Sequence, residues 1–269
     1  VSRVGELRAY AALLGAQARS VLSYRASFLV EVAGNMGATV FDVLTVLVLF
    51  RATPRVGGFT LEQALLMVGI SSAGFALADM LVGNVDRLKV YVRAGTLDAV
   101  LVRPLPALPQ LLLMDLPLRK ALRVVFGFTV LGGAIAINDI DWTPARVALV
   151  ALAPGAAAAF FGSIFVISAA LAFWWVESGE MGAAFTYGGR DFTSYPITVY
   201  GEWFRGLFAY ALGFAFVAYQ PALALLGRTD PLGLPGWAGY LSPLVALLAA
   251  TVATGVWRAG IRQYRSTGS

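Results

Sequence analysis

NVDRLKVYVRAGTLDAVLVRPL, residues 84–105, is a basic, turn-marked island between two long apolar runs. At 100° per residue, Val85, Leu88, Tyr91 and Val92 fall on one arc, and Asp86, Arg87, Lys89 and Arg93 on the opposite one. Such a helix lies flat on a membrane, apolar side in lipid and charged side toward the cytosol or a partner. Gly95 is a natural helix stop, because it reaches the left-handed region without a Cβ clash. Thr96 is placed to cap the amides of a second short helix. Arg103-Pro104 closes the unit, since the residue before proline avoids the α region. Asp98 and Arg103, five apart, either fix this elbow against a soluble partner or form a local salt bridge, which an exposed pair makes worth only ~0–1 kcal/mol. By physics alone an ordinary positively charged loop fits the stretch equally well.

Composition settles the setting. Of the 269 residues 59% are hydrophobic and 13% charged, against roughly 25% charged in a soluble domain. The chain cannot cover itself with polar surface in water, so an all-α integral membrane protein is expected. The net charge of +5 comes mainly from loops and speaks to membrane orientation, with no nucleic acid implied. With no histidine and no cysteine, zinc sites, thiol nucleophiles, disulfides and histidine acid–base chemistry fall away. No metal site and no catalytic residue is expected. Residues 1–25 hold four arginines without a long apolar core between them, which is not the pattern of a cleavable signal.

Residues 3–24 repeat Val4, Leu7, Ala11, Leu14, Ala18, Val21 and Leu22 at helical spacing and read as an interfacial amphipathic helix. Six apolar runs follow, at about 26–50, 61–83, 119–137, 147–175, 203–226 and 240–257. Gly69, Ser72, Ala73 and Ala76 in the second let a neighbouring helix approach closely. Residues 176–202, with Glu177, Glu180, Arg190 and Asp191, read as a cytoplasmic loop with a short surface helix, the charges serving as a solvated face, a second partner contact or a gate. With both termini inside, sixteen Lys and Arg residues lie on the inner side and four, Arg51, Arg55, Arg146 and Arg228, on the outer. That bias places both termini in the cytoplasm.

Three pieces in order carry a family likeness. They are GTLDAVLVRPL at 95–105, FTSYPI at 192–197 with a helix reaching YQPALALLG at 219–227, and the tail GIRQYRS at 260–266. With six runs in one chain, they resemble the type-2 ABC exporter permeases, and among them the small bacterial permeases often encoded as a pair beside one ATPase. The resemblance covers essentially the whole chain. It implies six transmembrane helices, an N-terminal connecting helix at 3–24, a cytoplasmic coupling helix at 84–98 and a short re-entrant segment at 218–238 before the last helix. It implies a single transmembrane domain over 1–269 in the bacterial inner membrane. Its partners would be two ABC ATPase subunits, which carry ATP and Mg, and a second permease, a heterodimer before a homodimer.

The residues themselves say where energy must come from. A P-loop needs Gly-x-x-x-x-Gly-Lys-Ser/Thr, and the only lysines, Lys89 and Lys120, follow Leu88 and Arg119. ATP hydrolysis therefore belongs to another chain, and this one needs no cofactor of its own. Arg87, Lys89, Arg93, Gly95, Asp98 and Arg103 form the expected coupling set. Glu31, Asn35 and Asp42 share one face of the first run. A charge in mid-membrane costs at least ~2.5–3.5 kcal/mol, so these side chains face water or protein. They line a substrate path, or Glu31 is interfacial and pairs with Arg25. Asp79, one turn from the inner end of the second run, is expected to pair with a basic residue there. A proton-coupled secondary transporter using Asp42 or Asp79 is the competing reading, although no inverted repeat with paired broken helices supports it. A membrane scaffold is the third.

Overall fold

The computed structural model describes residues 25–104, 106–114, 120–175 and 178–264. The expected connecting helix at 3–24 and Glu177 lie outside the described residues, and so do the side chains of Glu31, Asn35 and Asp42. Regular structure among the described residues is helical: α1 (Arg25–Ala52), α2 (Leu61–Leu81), a 3-10 turn at Gly83–Arg87, α3 (Leu88–Arg93), α4 (Leu97–Leu101), α5 (Ala107–Met114), α6 (Ala121–Ile137), α7 (Pro144–Ala170), α8 (Gly179–Thr193), α9 (Glu202–Phe204), α10 (Tyr219–Leu226) and α11 (Ser242–Gln263). Three stretches among them are long and apolar enough to cross a membrane: Leu61–Leu81, Pro144–Phe173 and Gly236–Gln263. Ala121–Ile137 is a shorter apolar helix, about 26 Å at 1.5 Å per residue.

The sequence signals these starts locally. The Thr60 amide donates to Gln63 Oε1 at 3.2 Å, one half of a capping box ahead of α2. Thr143 Oγ1 accepts from the Arg146 amide at 3.3 Å, and Pro144, lacking an N–H, opens α7. Packing centres on α2, whose small residues let α6 and α7 touch its backbone. A Cβ added at Gly69 would sit 2.7 Å from Leu131 Cα, and one at Gly127 2.9 Å from Ala73 Cα. Between these contacts Phe75, Phe161 and Phe165 fill the core, with Phe75 and Phe161 edge to face at 5.1 Å.

α1, α2, α6, α7 and α11 overlap the runs at 26–50, 61–83, 119–137, 147–175 and 240–257. The region between α7 and α11 departs from expectation. Residues 178–202 are not a cytoplasmic loop with a short surface helix. α8 packs into the bundle, with Ser71 Oγ 2.7 Å from Thr193 Oγ1 of α8 and Ser168 Oγ 3.2 Å from Thr186 Oγ1. Its start lies against Lys89 of the elbow, and just beyond its end Thr198 Oγ1 donates to the Gly57 carbonyl at 2.8 Å. Residues 179–199 thus run the length of the bundle, from the elbow end to the end bearing the 51–60 turn.

The expected fifth run, 203–226, is in turn not one helix. It passes through α9, a π turn at Arg205–Ala211 and a 3-10 turn at Phe214–Phe216 into α10. Gly213, at φ +87°, reverses the chain, a conformation that costs glycine little and other residues much. Phe214 beyond it packs on Phe160 at 5.1 Å and Phe185 at 5.8 Å, inside the bundle. Arg228 then donates to the Gly58 carbonyl at 3.1 Å. Thr198 and Arg228 bond to adjacent residues of one turn, so the intervening chain is a hairpin that enters and leaves at the same end. It is pinned by Asp230, a buried carboxylate accepting from Gln220 Nε2 at 2.6 Å, the Leu232 amide at 2.9 Å, and the Tyr210 and Tyr219 hydroxyls at 3.2 Å each.

Candidate functional site: an elbow and a charged seam

The elbow at 83–103 is built as two short helices joined at Gly95, whose φ of +66° makes the left-handed stop. Its apolar arc does not meet lipid. Val85, Leu88, Val92, Leu97 and Val100 are buried in the main hydrophobic core, because the C-terminal end of α7 and α5 pack over them. Gln110 Nε2 of α5 donates to the Val100 carbonyl at 3.3 Å and fixes that roof. Thr96 does not cap α4 with its side chain; its hydroxyl donates back to the Tyr91 carbonyl at 3.4 Å. The result is a rigid base with a charged edge.

On that edge Arg87, Arg93 and Arg103 are exposed. Lys89 is half-buried, and its Nζ lies 2.6 Å from where a Gly179 Cβ would stand, so it links the elbow to the start of α8. Asp98 is half-buried beside Tyr264 of the tail; burial, and after it the Asp98 carboxylate, raises the Tyr264 hydroxyl above its ordinary value. Glu180 stands exposed one residue into α8. Asp86 lines a small recess with Lys89, Ser168, Ser178 and Gly179. Burial, reinforced by the Asp79 charge, pushes Asp86 up from 3.8 to about 6, against Lys120 and Lys89, which pull it down. A carboxyl raised in the fold binds more protons than in the unfolded chain between those two values, so its ionisation lowers stability as pH climbs from about 4 to about 6, with no further loss once it is ionised in both states. Asp86→Asn is expected to remove that fall, which a series of thermal unfolding midpoints between pH 4 and 8 reads directly.

Deeper, a seam of charge runs between α2, α6 and α8. Asp79 accepts from Lys120 Nζ at 2.6 Å and from Arg123 at 3.1 Å, with its side chain 4% exposed. This is the ion pair expected at that position, and it engages two cations. The Arg123 guanidinium lies 5.3 Å from the Phe75 ring centre, and the Arg190 guanidinium of α8 also lies 5.3 Å from it. Cation–π attraction of ~2 kcal/mol or more in a desolvated site gives Phe75 a polar task inside an apolar core. Arg190 is buried, whereas the side chain of Asp191, 3.9 Å away, is 68% exposed. Asp191, Ser194 and Tyr195 line a cavity of about 280 Å³ with Val46 of α1 and Val68 of α2.

From sequence, Arg190 and Asp191 read as part of a cytoplasmic loop with a short surface helix, a partner contact or a gate, and nothing marks Ser194 or Tyr195 as site residues. The signal was present in the spacing Gly182, Thr186, Gly189 and Thr193, which are buried on one side of α8. Small residues at three- and four-residue steps suit close helix contact, but the low hydropathy of this segment hides it from a search for apolar runs. The structure does not bring the coupling set and the α1 residues to one place: Arg87 to Arg103 lie at the elbow end, whereas Glu31, Asn35 and Asp42 lie along α1.

A family model described as ABC-2 family transporter protein matches residues 36–268. No curated protein and no solved structure matches the chain.

Proposed function

Because this chain belongs to the ABC-2 transporter family, we propose that it is the permease subunit of an ATP-driven exporter, working with a second permease and two separate ATPase subunits. The observation that carries the reading is the elbow. Its apolar arc is locked into the bundle core while Arg87 and Arg93 stand exposed at the bundle's end. Closure of an ATPase docked there would move α2 and α6 together, since a rigid base passes on motion that a soft loop would absorb. Gly95, Asp98 and Arg103 shape the return limb, and Lys89 carries the displacement to α8.

The crossings in this proposal are α1, α2, α6, α7, the segment 179–199 and α11. The hairpin 202–226 is the re-entrant part, starting earlier than position 218. Both termini remain inside. With Arg190 within the bundle and Arg205 at the outer end, fourteen basic residues stay inside against five outside, so the charge bias survives. The substrate path in this proposal runs along α1, the helix that carries Glu31, Asn35 and Asp42, and past the cavity that Asp191, Ser194 and Tyr195 line with α1 and α2. An exposed carboxylate on a crossing helix must face water or another subunit, which supports a second permease on that side and, from the paired-gene habit of the permeases it resembles, a heterodimer. The proton-coupled alternative loses Asp79 as a carrier, because its two oxygens already accept from Lys120 and from the buried Arg123.

The test is Arg87→Glu with Arg93→Glu. The double variant is expected to insert normally and to lose at least about tenfold in ATPase affinity, because like charges across an interface cost several kcal/mol. Co-purification of the ATPase and transport in proteoliposomes read the two effects. Wild-type association and transport by the double variant would overturn the assignment.

A further inference from the structure

On the far side of α7 from Phe161 and Phe165 lies a cavity of about 510 Å³. Its floor is Gly155, Ala159, Gly162 and Val166 of α7, a spacing that keeps them on one face. Leu77 and Leu81 of α2 form one wall, Ala250 and Thr254 of α11 the other, and Leu108 and Leu112 of α5 close the elbow end. A second cavity of about 350 Å³ shares Gly155, Ala159 and Ala250 and continues toward Ala151 and Pro243. From residue 151 to 166 the floor is about 22 Å long at 1.5 Å per residue, most of the depth of a ~30 Å hydrocarbon layer.

The lining offers no free side-chain hydrogen-bond donor. Its two hydroxyls are turned back onto their own helices, Ser163 to the Ala159 carbonyl and Thr254 to the Ala250 carbonyl, each at 2.7 Å. At its rim the lining residues Leu81 and Leu247 are exposed, and beyond them so are Leu248 and Val252 of α11, so the apolar surface continues from the cavity onto the bundle's outside. The exposed carboxylate of Asp191 calls for water or another subunit on the α8 face. The groove carries no charge that needs either. Hydrocarbon from the bilayer is the occupant that fits its length, depth and lack of polar groups.

We propose that the groove between α2, α5, α7 and α11 is a binding site for one acyl chain of a membrane phospholipid, held in place and distinct from freely exchanging lipid. The α5 roof makes it a pocket, tying its occupancy to the elbow that α5 also braces through Gln110.

The full chain, purified with its partner subunits, tests this through single cysteines, since it has none of its own. Ala159→Cys reports from the floor and Val252→Cys from the exposed rim. Gly155→Cys repeats the floor measurement where an added Cβ meets nothing within 4 Å. Phosphatidylglycerol added to the detergent-purified protein at ten times its dissociation constant is expected to slow maleimide reaction at the floor cysteines about tenfold, leaving Val252→Cys unchanged. Equal slowing at floor and rim, or no slowing at either, would overturn the proposal. So would a bismaleimide joining two copies of the Ala159→Cys chain in the membrane, which would make the groove a subunit interface.

Discussion

Asp79→Ala is expected to be the most damaging single substitution among the described ionic residues. Asp79 is almost sealed from solvent and holds both Lys120 and Arg123. Its removal leaves Lys120 and Arg123 without the carboxylate that bridges them, and breaking a buried pair from one side costs roughly 3–5 kcal/mol. The loss exceeds the net worth of the pair itself, because desolvation of the cations is then uncompensated. Two comparisons separate these effects. Arg123→Met alone should cost less, since Lys120 still neutralises Asp79, although the contact with Phe75 goes. The triple variant Asp79→Leu, Lys120→Met and Arg123→Met should recover most of the stability, as apolar replacement of whole buried pairs does elsewhere. Thermal unfolding of the purified protein in one detergent ranks the three. A triple variant no better than Asp79→Ala would mean that the cluster does more than satisfy itself.

Gly74→Leu carries the second large effect. A Cβ at Gly74 would land on the Ala157 Cβ and lie 3.2 Å from the Ala157 Cα, so α2 and α7 meet almost backbone to backbone. A leucine cannot be absorbed by a rotamer change there, and the helices must part. Overpacking a filled core costs ~1–3 kcal/mol and occasionally more; separation of the bundle's central pair belongs at the upper end. Gly132→Ala is the control, because a Cβ there meets nothing within 4 Å. It should stabilise α6 by ~0.5–1 kcal/mol through the usual preference of alanine over glycine in helix interiors. Unfolding midpoints for the pair should therefore move in opposite directions.

The two substitutions show what was legible in the chain. Small residues in the second run announced a close helix contact, and Asp79 announced an ion pair, because each follows from a local rule about bilayer depth and residue size. The elbow was legible as two short helices joined at Gly95, since a left-handed stop leaves a mark in sequence. Where its apolar arc points was not. Val85, Leu88 and Val92 have the same periodicity whether they meet lipid or protein, and only the approach of α5 and α7 decides. The segment 179–199 was misplaced for a related reason. A helix that packs on protein and borders a polar cavity needs no long apolar run, so Gly188, Arg190 and Asp191 looked like a loop. Residues 203–226 differ in the opposite sense: a hairpin with a largely exposed first limb and a buried return limb is as apolar as a span, and Gly213 is one glycine among 29.

A crossing at 179–199 that returns as a hairpin buries Arg190 in the bundle, leaves Asp191 exposed beside it and sets the proposed path opposite the apolar groove. Single cysteines at Glu180 and Val199, both exposed, test it in intact cells with a membrane-impermeant maleimide. The predicted result is labelling of Val199→Cys from outside and of Glu180→Cys only after the cells are opened. Labelling of both from outside, or of neither before lysis, would contradict it.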